Sequence, residues 1–157
     1  MASIDRADWN YGGDYPKNLP IENGGTHIGM YLTWIINNDL IGQTHIESSI
    51  SEIEKVKKRE KTGRDFLFSE CDEKLWEEDF NEEGLKFTEF YYQSSDPEES
   101  YGQYLDDYLE VFDHVECESL YEIPNTWGNY DLLAKTLDKR FKKWRNNGNK
   151  KGWKFWK

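Results

Sequence analysis

The chain has 157 residues, 36% of them hydrophobic, with 31 acidic and 20 basic side chains and a net charge of -11. That length suits one domain able to bury about 70% of its unfolded surface, and seven Trp, ten Tyr and eight Phe supply enough contact area to exclude a disordered chain despite the charge. All 31 acidic residues lie at or before Asp138 against eleven basic ones, so the first 138 residues carry -20 and the last 19 carry +9. A body so charged repels nucleic acid and anionic lipid and steers basic proteins toward itself. The longest apolar run, Ile28 to Ile36, is nine residues, short of the roughly 20 that cross a bilayer. The start MASIDRADWN lacks a basic n-region and an apolar h-region, which leads to the expectation of a cytoplasmic protein.

In chain order, DWNYGGDYPKNLPIENGG is turn chemistry and predicts an irregular N-terminal arm pinned by Trp9, Tyr11, Tyr15 and Leu19. Thr26 is expected to cap a helix in which Ile28, Tyr31, Leu32, Ile35 and Ile36 form one stripe, with Gly42 ending it. Met30 and Trp34 lie off that stripe, so this helix is expected to be central and apolar most of the way round. Ser48 or Ser49 opens an amphipathic helix to about Lys61 with Ile50, Ile53 and Val56 inward, and Thr62-Gly63 interrupts it. RDFLFSECDEKLW predicts a short helix with Phe66, Leu67 and Cys71 inward. Asn81 is expected to cap a helix carrying Phe87 and Tyr91, with Glu82 and Glu83 complementing its dipole.

SSDPEES marks a further helix start, leading to an aromatic face of Tyr101, Tyr104, Tyr108 and Phe112. Residues 113–123 alternate like a strand but lack a partner and read as extended connection. Asn125 or Thr126 then caps a last helix with Trp127, Tyr130, Ala134, Leu137, Phe141 and Trp144 at helical spacing, expected to stop at Asn146-Asn147-Gly148. The fold class is therefore mainly α: a single compact domain of about six helices with at most a minor strand. Its boundaries are expected at 1–147, with 148–157 a basic, Trp-rich tail that either packs back on the body or contacts a partner.

Sites for chemistry are sparse. His27, His45 and His114 are scattered, and Cys71 and Cys117 stand far apart outside any CxxC, so buried thiols are expected and no metal or cofactor. DEKLWEEDFNEE lacks the oxygen ligands and turn glycine of a calcium loop. GGTHIG precedes a helix start without the strand or Lys of a phosphate cradle. No Ser/His/Asp or Cys/His pairing follows from spacing, which leads to the expectation that the protein is not an enzyme.

The motifs DWNYGGDYP, THIGMYLTW and TGRDFL, followed by EDFNEEGLKFTEFYY, YLDDYLEVF and TWGNYDLLAKTLDKRFKKW, resemble a family of small acidic bacterial proteins over residues 8–144. The family has no catalytic residues to carry over. The resemblance implies an association with immunity genes that lie beside polymorphic toxins, as in contact-dependent inhibition.

Charge, aromatic content and resemblance together lead to an expected toxin-binding immunity protein whose partner is a basic domain, such as a nuclease. The expected face comprises Glu70, Asp72, Trp76, Glu77, Glu78, Asp79, Tyr92, Glu98, Glu99, Tyr101, Asp106 and Asp107, while Tyr104 and Tyr108 read as core. The alternative is a small enzyme or ligand-binding protein with a pocket around Asp14, His27 and Tyr31. Direct nucleic-acid or membrane-surface contact is expected, if anywhere, only at the tail, where Lys and Trp interleave.

Overall fold

The computed structural model describes residues 3–6, 20–92, 103–113, 115 and 120–156, the last ten by backbone. The elements are β1 (Ser3–Arg6), α1 (Thr26–Asn37), α2 (Gln43–Ser48), α3 (Ile50–Lys57), α4 (Gly63–Glu70), β2 (Lys74–Trp76), α5 (Glu82–Tyr91), α6 (Gln103–Val111) and α7 (Trp127–Trp156). The fold is mainly α, with seven helices and one two-stranded sheet among the described residues.

Helix α1 is the axis. Every residue from Thr26 to Ile36 is buried, Met30 and Trp34 included, so the expected central helix is present. It crosses α4 at glycines: a Cβ at Gly29 would lie 2.5 Å from the Arg64 Cα, and one at Gly63 would overlap Gly29 O and Thr33 Oγ1. That contact lets the Gly63 N–H donate to Thr33 Oγ1 at 3.0 Å, joining the THIG and TGR segments. Thr62-Gly63 separates α3 from α4 as expected and is also the start of α4, Thr62 Oγ1 accepting from the Asp65 N–H. The cap of α1 is Gly25 rather than Thr26, whose hydroxyl accepts from Arg64 Nη1.

Around α1 packs an aromatic core. Tyr31, Trp34, Phe87, Tyr91, Tyr104 and Tyr108 are nearly inaccessible. Phe87 and Tyr91 stack at 5.2 Å, and Phe141 meets Trp34 and Phe87 edge-on at 5.2 and 5.0 Å, arrangements that aromatic quadrupoles favour. Two of the buried polar ends are tied down: Tyr31 Oη pairs with Thr88 Oγ1 at 2.8 Å, and Trp34 Nε1 donates to Asp138 Oδ1 at 2.8 Å. Asn81 caps α5 as expected, its Oδ1 accepting from the Gly84 N–H, and Thr126 caps α7 through the Asn129 N–H.

Several expectations are corrected. Helix α3 starts after Ser49 as expected but ends at Lys57 rather than near Lys61, α2 precedes it as an additional helix, and Ile50 is 49% exposed rather than inward. The expected helix over 64–76 ends at Glu70, because Asp72 and Glu73 both take positive φ (53° and 64°) and turn the chain into β2. The Glu73 N–H closes this end on Leu67 O at 3.0 Å, a helix-terminating bond usually made with the help of Gly. Strand β2 pairs antiparallel with β1, matching Asp5 with Leu75 and Arg6 with Lys74; β1 precedes the expected irregular arm, most of which lies outside the described residues. Helix α7 runs through Asn146-Asn147-Gly148 to Trp156, so the backbone of the expected tail prolongs the helix. The proposed helix start at SSDPEES and residues 114 and 116–119 of the strand-like stretch lie outside the described residues, and Leu120–Glu122 forms a 3-10 turn rather than strand.

Candidate functional site

Two backbone ties bring residues near 40 against residues near 80. The Gly42 N–H donates to Asp79 O at 2.8 Å and the Asn81 N–H to Leu40 O at 2.9 Å, with Ile41 and Phe80 bridged between them. Immediately beyond, α2 begins at Gln43, and its one buried side chain, His45, points toward the 3-10 turn Glu77–Asp79. Cys71, at the C-terminal end of α4 just before the left-handed turn, reaches the same place.

The result is a cleft of about 260 Å³ whose lining includes Thr44, Ser48, Glu70, Asp72, Trp76 and Glu78 around His45, Cys71 and Asp79. Asp79 Oδ1 lies 2.6 Å from His45 Nε2, and its Oδ2 accepts from the Trp76 N–H at 2.6 Å. Cys71 Sγ lies 3.7 Å from the same His45 Nε2. The three ligand-type atoms are all within 4.8 Å of one another, and all three residues are buried. Phe66 packs edge-on against the imidazole at 5.4 Å and closes the inner side.

This arrangement is not that of a nucleophilic triad. A relay needs the thiol and the carboxylate on opposite ring nitrogens, whereas here both face Nε2. Burial pushes the Cys71 thiol well above its ordinary range, and the nearby Asp79 and Glu70 carboxylates push it further, which disfavours a reactive thiolate.

The cleft is also acidic. No Lys or Arg lines it among the described residues, although Lys61 and Lys74 reach its edges, 4.0 Å from Glu70 and 3.5 Å from Asp72. Glu70 is held by the Ser49 hydroxyl at 3.0 Å. On α2, which lines the cleft, and on α3 after it, Ile46 and Ile50 stand 39% and 49% exposed.

Of the residues expected on a binding face, Glu70, Asp72, Trp76 and Glu78 meet at this cleft with half-buried Glu77 beside them. Asp79 is buried at its base. The others are dispersed. Asp106 is exposed on α6, far in sequence from the cleft, and its neighbour Asp107 is buried, taking a bidentate pair from Arg140 at 2.9 and 3.0 Å and a bond from Tyr91 Oη. Tyr92 donates to Asp5 from within the aromatic core. Asp107 and Tyr92 therefore serve the fold, and Glu98, Glu99 and Tyr101 lie outside the described residues.

Two of the three residues of the alternative pocket, His27 and Tyr31, are among the described ones. Asp14 lies outside the described residues, Tyr31 is wholly buried on Thr88, and His27 is buried with Nε2 3.5 Å from Asp5 Oδ2. His45 and Cys71 were the site residues that spacing missed: they stand 26 positions apart, and His45 is 34 from Asp79, so no local pattern joins them.

Residues 3–123 match the DUF7832 family, a domain of unknown function, and the chain belongs to that family. Neither a curated protein nor a solved structure matches it. Among the described residues no helix is long and apolar enough to cross a membrane.

Proposed function

We propose that this DUF7832 member is an immunity-type binding protein that neutralises a basic toxin domain by covering its active site. The observation that carries the reading is the acidic cleft of Glu70, Asp72, Glu78 and Asp79, lined also by half-buried Trp76, with Ile46 and Ile50 exposed on the α2 and α3 segments that follow its His45 side. Apolar and aromatic anchors within a polar rim are what protein interfaces are built from, whereas carboxylates set the choice of partner and the speed of encounter. A nuclease groove evolved to hold phosphates presents Lys and Arg at the spacing of anions. Carboxylates on a rigid edge occupy that groove without any bond being made or broken. Neutralisation in this reading is steric and electrostatic, and the thiol at the base of the cleft plays no nucleophilic part.

The test is co-expression with a basic toxin domain drawn from the genes neighbouring this one, followed by co-purification and a measured Kd. Asp72→Lys/Glu78→Lys alters two exposed side chains and is expected to weaken the complex at least tenfold, reduce its salt dependence and abolish protection, with the fold intact. Unchanged protection by this variant, or failure of the wild-type chain to co-purify, overturns the reading.

A further inference from the structure

We propose that His45, Cys71 and Asp79 form a binding site for a zinc-class divalent ion, with its remaining coordination position open to the acidic cleft. Three different ligand types converge on one point. His45 Nε2, Cys71 Sγ and an Asp79 carboxylate oxygen all lie within 4.8 Å of one another, and each side chain is buried.

The separations suit one ion. Zn–N and Zn–O bonds of about 2.0–2.2 Å and Zn–S of about 2.3 Å at tetrahedral angles put N and S about 3.6 Å apart and N and O about 3.4 Å apart. Cys71 Sγ and His45 Nε2 stand 3.7 Å apart, already at that spacing. His45 Nε2 and Asp79 Oδ1, at 2.6 Å, are at hydrogen-bond distance, with a proton where the ion would sit. Admitting the ion requires that pair to open by somewhat under about 1 Å, a displacement within the reach of side-chain rotation.

The charges also match. A thiolate, a carboxylate and a neutral imidazole total two negative charges, which cancel those of the ion. On binding, the Cys71 thiol yields its proton to solvent, and the proton shared by His45 Nε2 and Asp79 Oδ1 leaves that position for Nδ1 or for solvent, so the bound imidazole is neutral with its one proton on Nδ1 and no buried net charge remains. The sulfur ligand selects against calcium and magnesium, which take oxygen. Outer contacts that orient metal ligands are in place: the Trp76 N–H holds Asp79 Oδ2 at 2.6 Å, the Gly42 N–H holds Asp79 O at 2.8 Å, and Phe66 fixes the imidazole plane. The open side faces Thr44, Ser48 and Glu70, leaving room for water on the ion.

The inference is independent of any protein partner, and so is its test. The full-length chain, reduced and stripped of metal with a chelator, is titrated with Co²⁺ and then with Zn²⁺. One equivalent of Co²⁺ is expected to produce a thiolate-to-cobalt charge-transfer band with the visible bands of a tetrahedral site, and Zn²⁺ is expected to displace it. Cys71→Ser loses the charge-transfer band, and His45→Gln and Asp79→Asn each weaken binding more than about tenfold. Cys117→Ser leaves the titration unchanged. Absence of the band in the wild-type chain overturns the proposal whatever the variants do, and so does its persistence in folded Cys71→Ser. Should Cys71→Ser fail to fold by circular dichroism, His45→Gln and Asp79→Asn decide: unchanged affinity in both also overturns it.

Discussion

Replacing Asp107 with Ala strips the acceptor from three hydrogen bonds at once. Its carboxylate takes Arg140 Nε at 2.9 Å and Nη2 at 3.0 Å, and the Tyr91 hydroxyl at 2.5 Å, with its own side chain only 6% exposed. Two donors are left behind in different surroundings. Tyr91 is wholly buried, so its orphaned hydroxyl costs about 1–3 kcal/mol. Arg140 is 38% exposed and can turn its charge to water, so the roughly 3–5 kcal/mol for breaking a fully buried pair is a ceiling. A loss of about 2–3 kcal/mol follows, and with a urea m-value of about 2 kcal/mol/M the midpoint falls by about 1–1.5 M. Asp106, next in the chain but exposed, is the internal control: Asp106→Ala stays within about 0.5 kcal/mol. Urea melts followed by far-UV circular dichroism read both variants. If Asp107→Ala lies within 0.5 kcal/mol of Asp106→Ala, with that figure set by the usual spread of surface substitutions, the pair with Arg140 does not support the fold and the reasoning fails.

Other outcomes follow from the same packing. Gly29→Val places side-chain atoms against the Arg64 backbone, which cannot rotate away, and is expected to cost more than the roughly 1–3 kcal/mol of ordinary overpacking; a thermal melt within a few degrees of wild type refutes the close α1–α4 crossing. Burial raises the Cys71 thiol above 9.0 and the Tyr91, Tyr92 and Tyr104 hydroxyls above 10.0. The folded chain thus holds protons that the unfolded chain sheds, so this stability is complete below about pH 9 and declines as pH rises through the thiol and then the phenol range. Urea midpoints measured from pH 7 to 11 without metal read it, and Cys71→Ala should remove the earlier part of the decline; a flat profile contradicts the buried, protonated thiol. Binding of the toxin domain by wild-type chain should weaken steeply with added salt, since exposed carboxylates are screened over about 8–10 Å near physiological ionic strength; a salt-independent association rate contradicts an acidic contact face.

The elements that could be read in the sequence are those whose cause lies within a few consecutive residues. Ile28, Tyr31, Leu32, Ile35 and Ile36 repeat at helical spacing, and all are buried in α1. Asn81 and Thr126 are capping residues by chemistry and cap α5 and α7. The boundary after Glu70 was hidden, because Cys71, Asp72 and Glu73 include neither the Gly nor the Pro that marks a helix end, yet two of them adopt the left-handed region. The strand that follows is three residues long, too short for an alternation to register, and its partner lies near the N-terminus. Acidic positions were legible as acidic but not as exposed or buried. Asp106 and Asp107 look alike in sequence, and only the approach of α7 makes one a solvated charge and the other an anchor.

By itself the sequence determined a helical, aromatic-cored domain with a strongly negative body, because periodicity, capping chemistry and net charge are properties of neighbouring residues or of simple sums. The family membership of residues 3–123 belongs with these, since it too is written in the order of residues. Tertiary structure alone decided that His45, Cys71 and Asp79 meet and that Glu70, Asp72 and Glu78 surround them. Those contacts depend on the glycine-permitted crossing of α1 and α4, the left-handed turn at Asp72 and Glu73, and the backbone ties from Leu40 and Gly42 to Asn81 and Asp79. The crossing and the backbone ties each close a loop of tens of residues, and the packing energy that offsets the closure entropy comes from side chains all over the core rather than from any local motif.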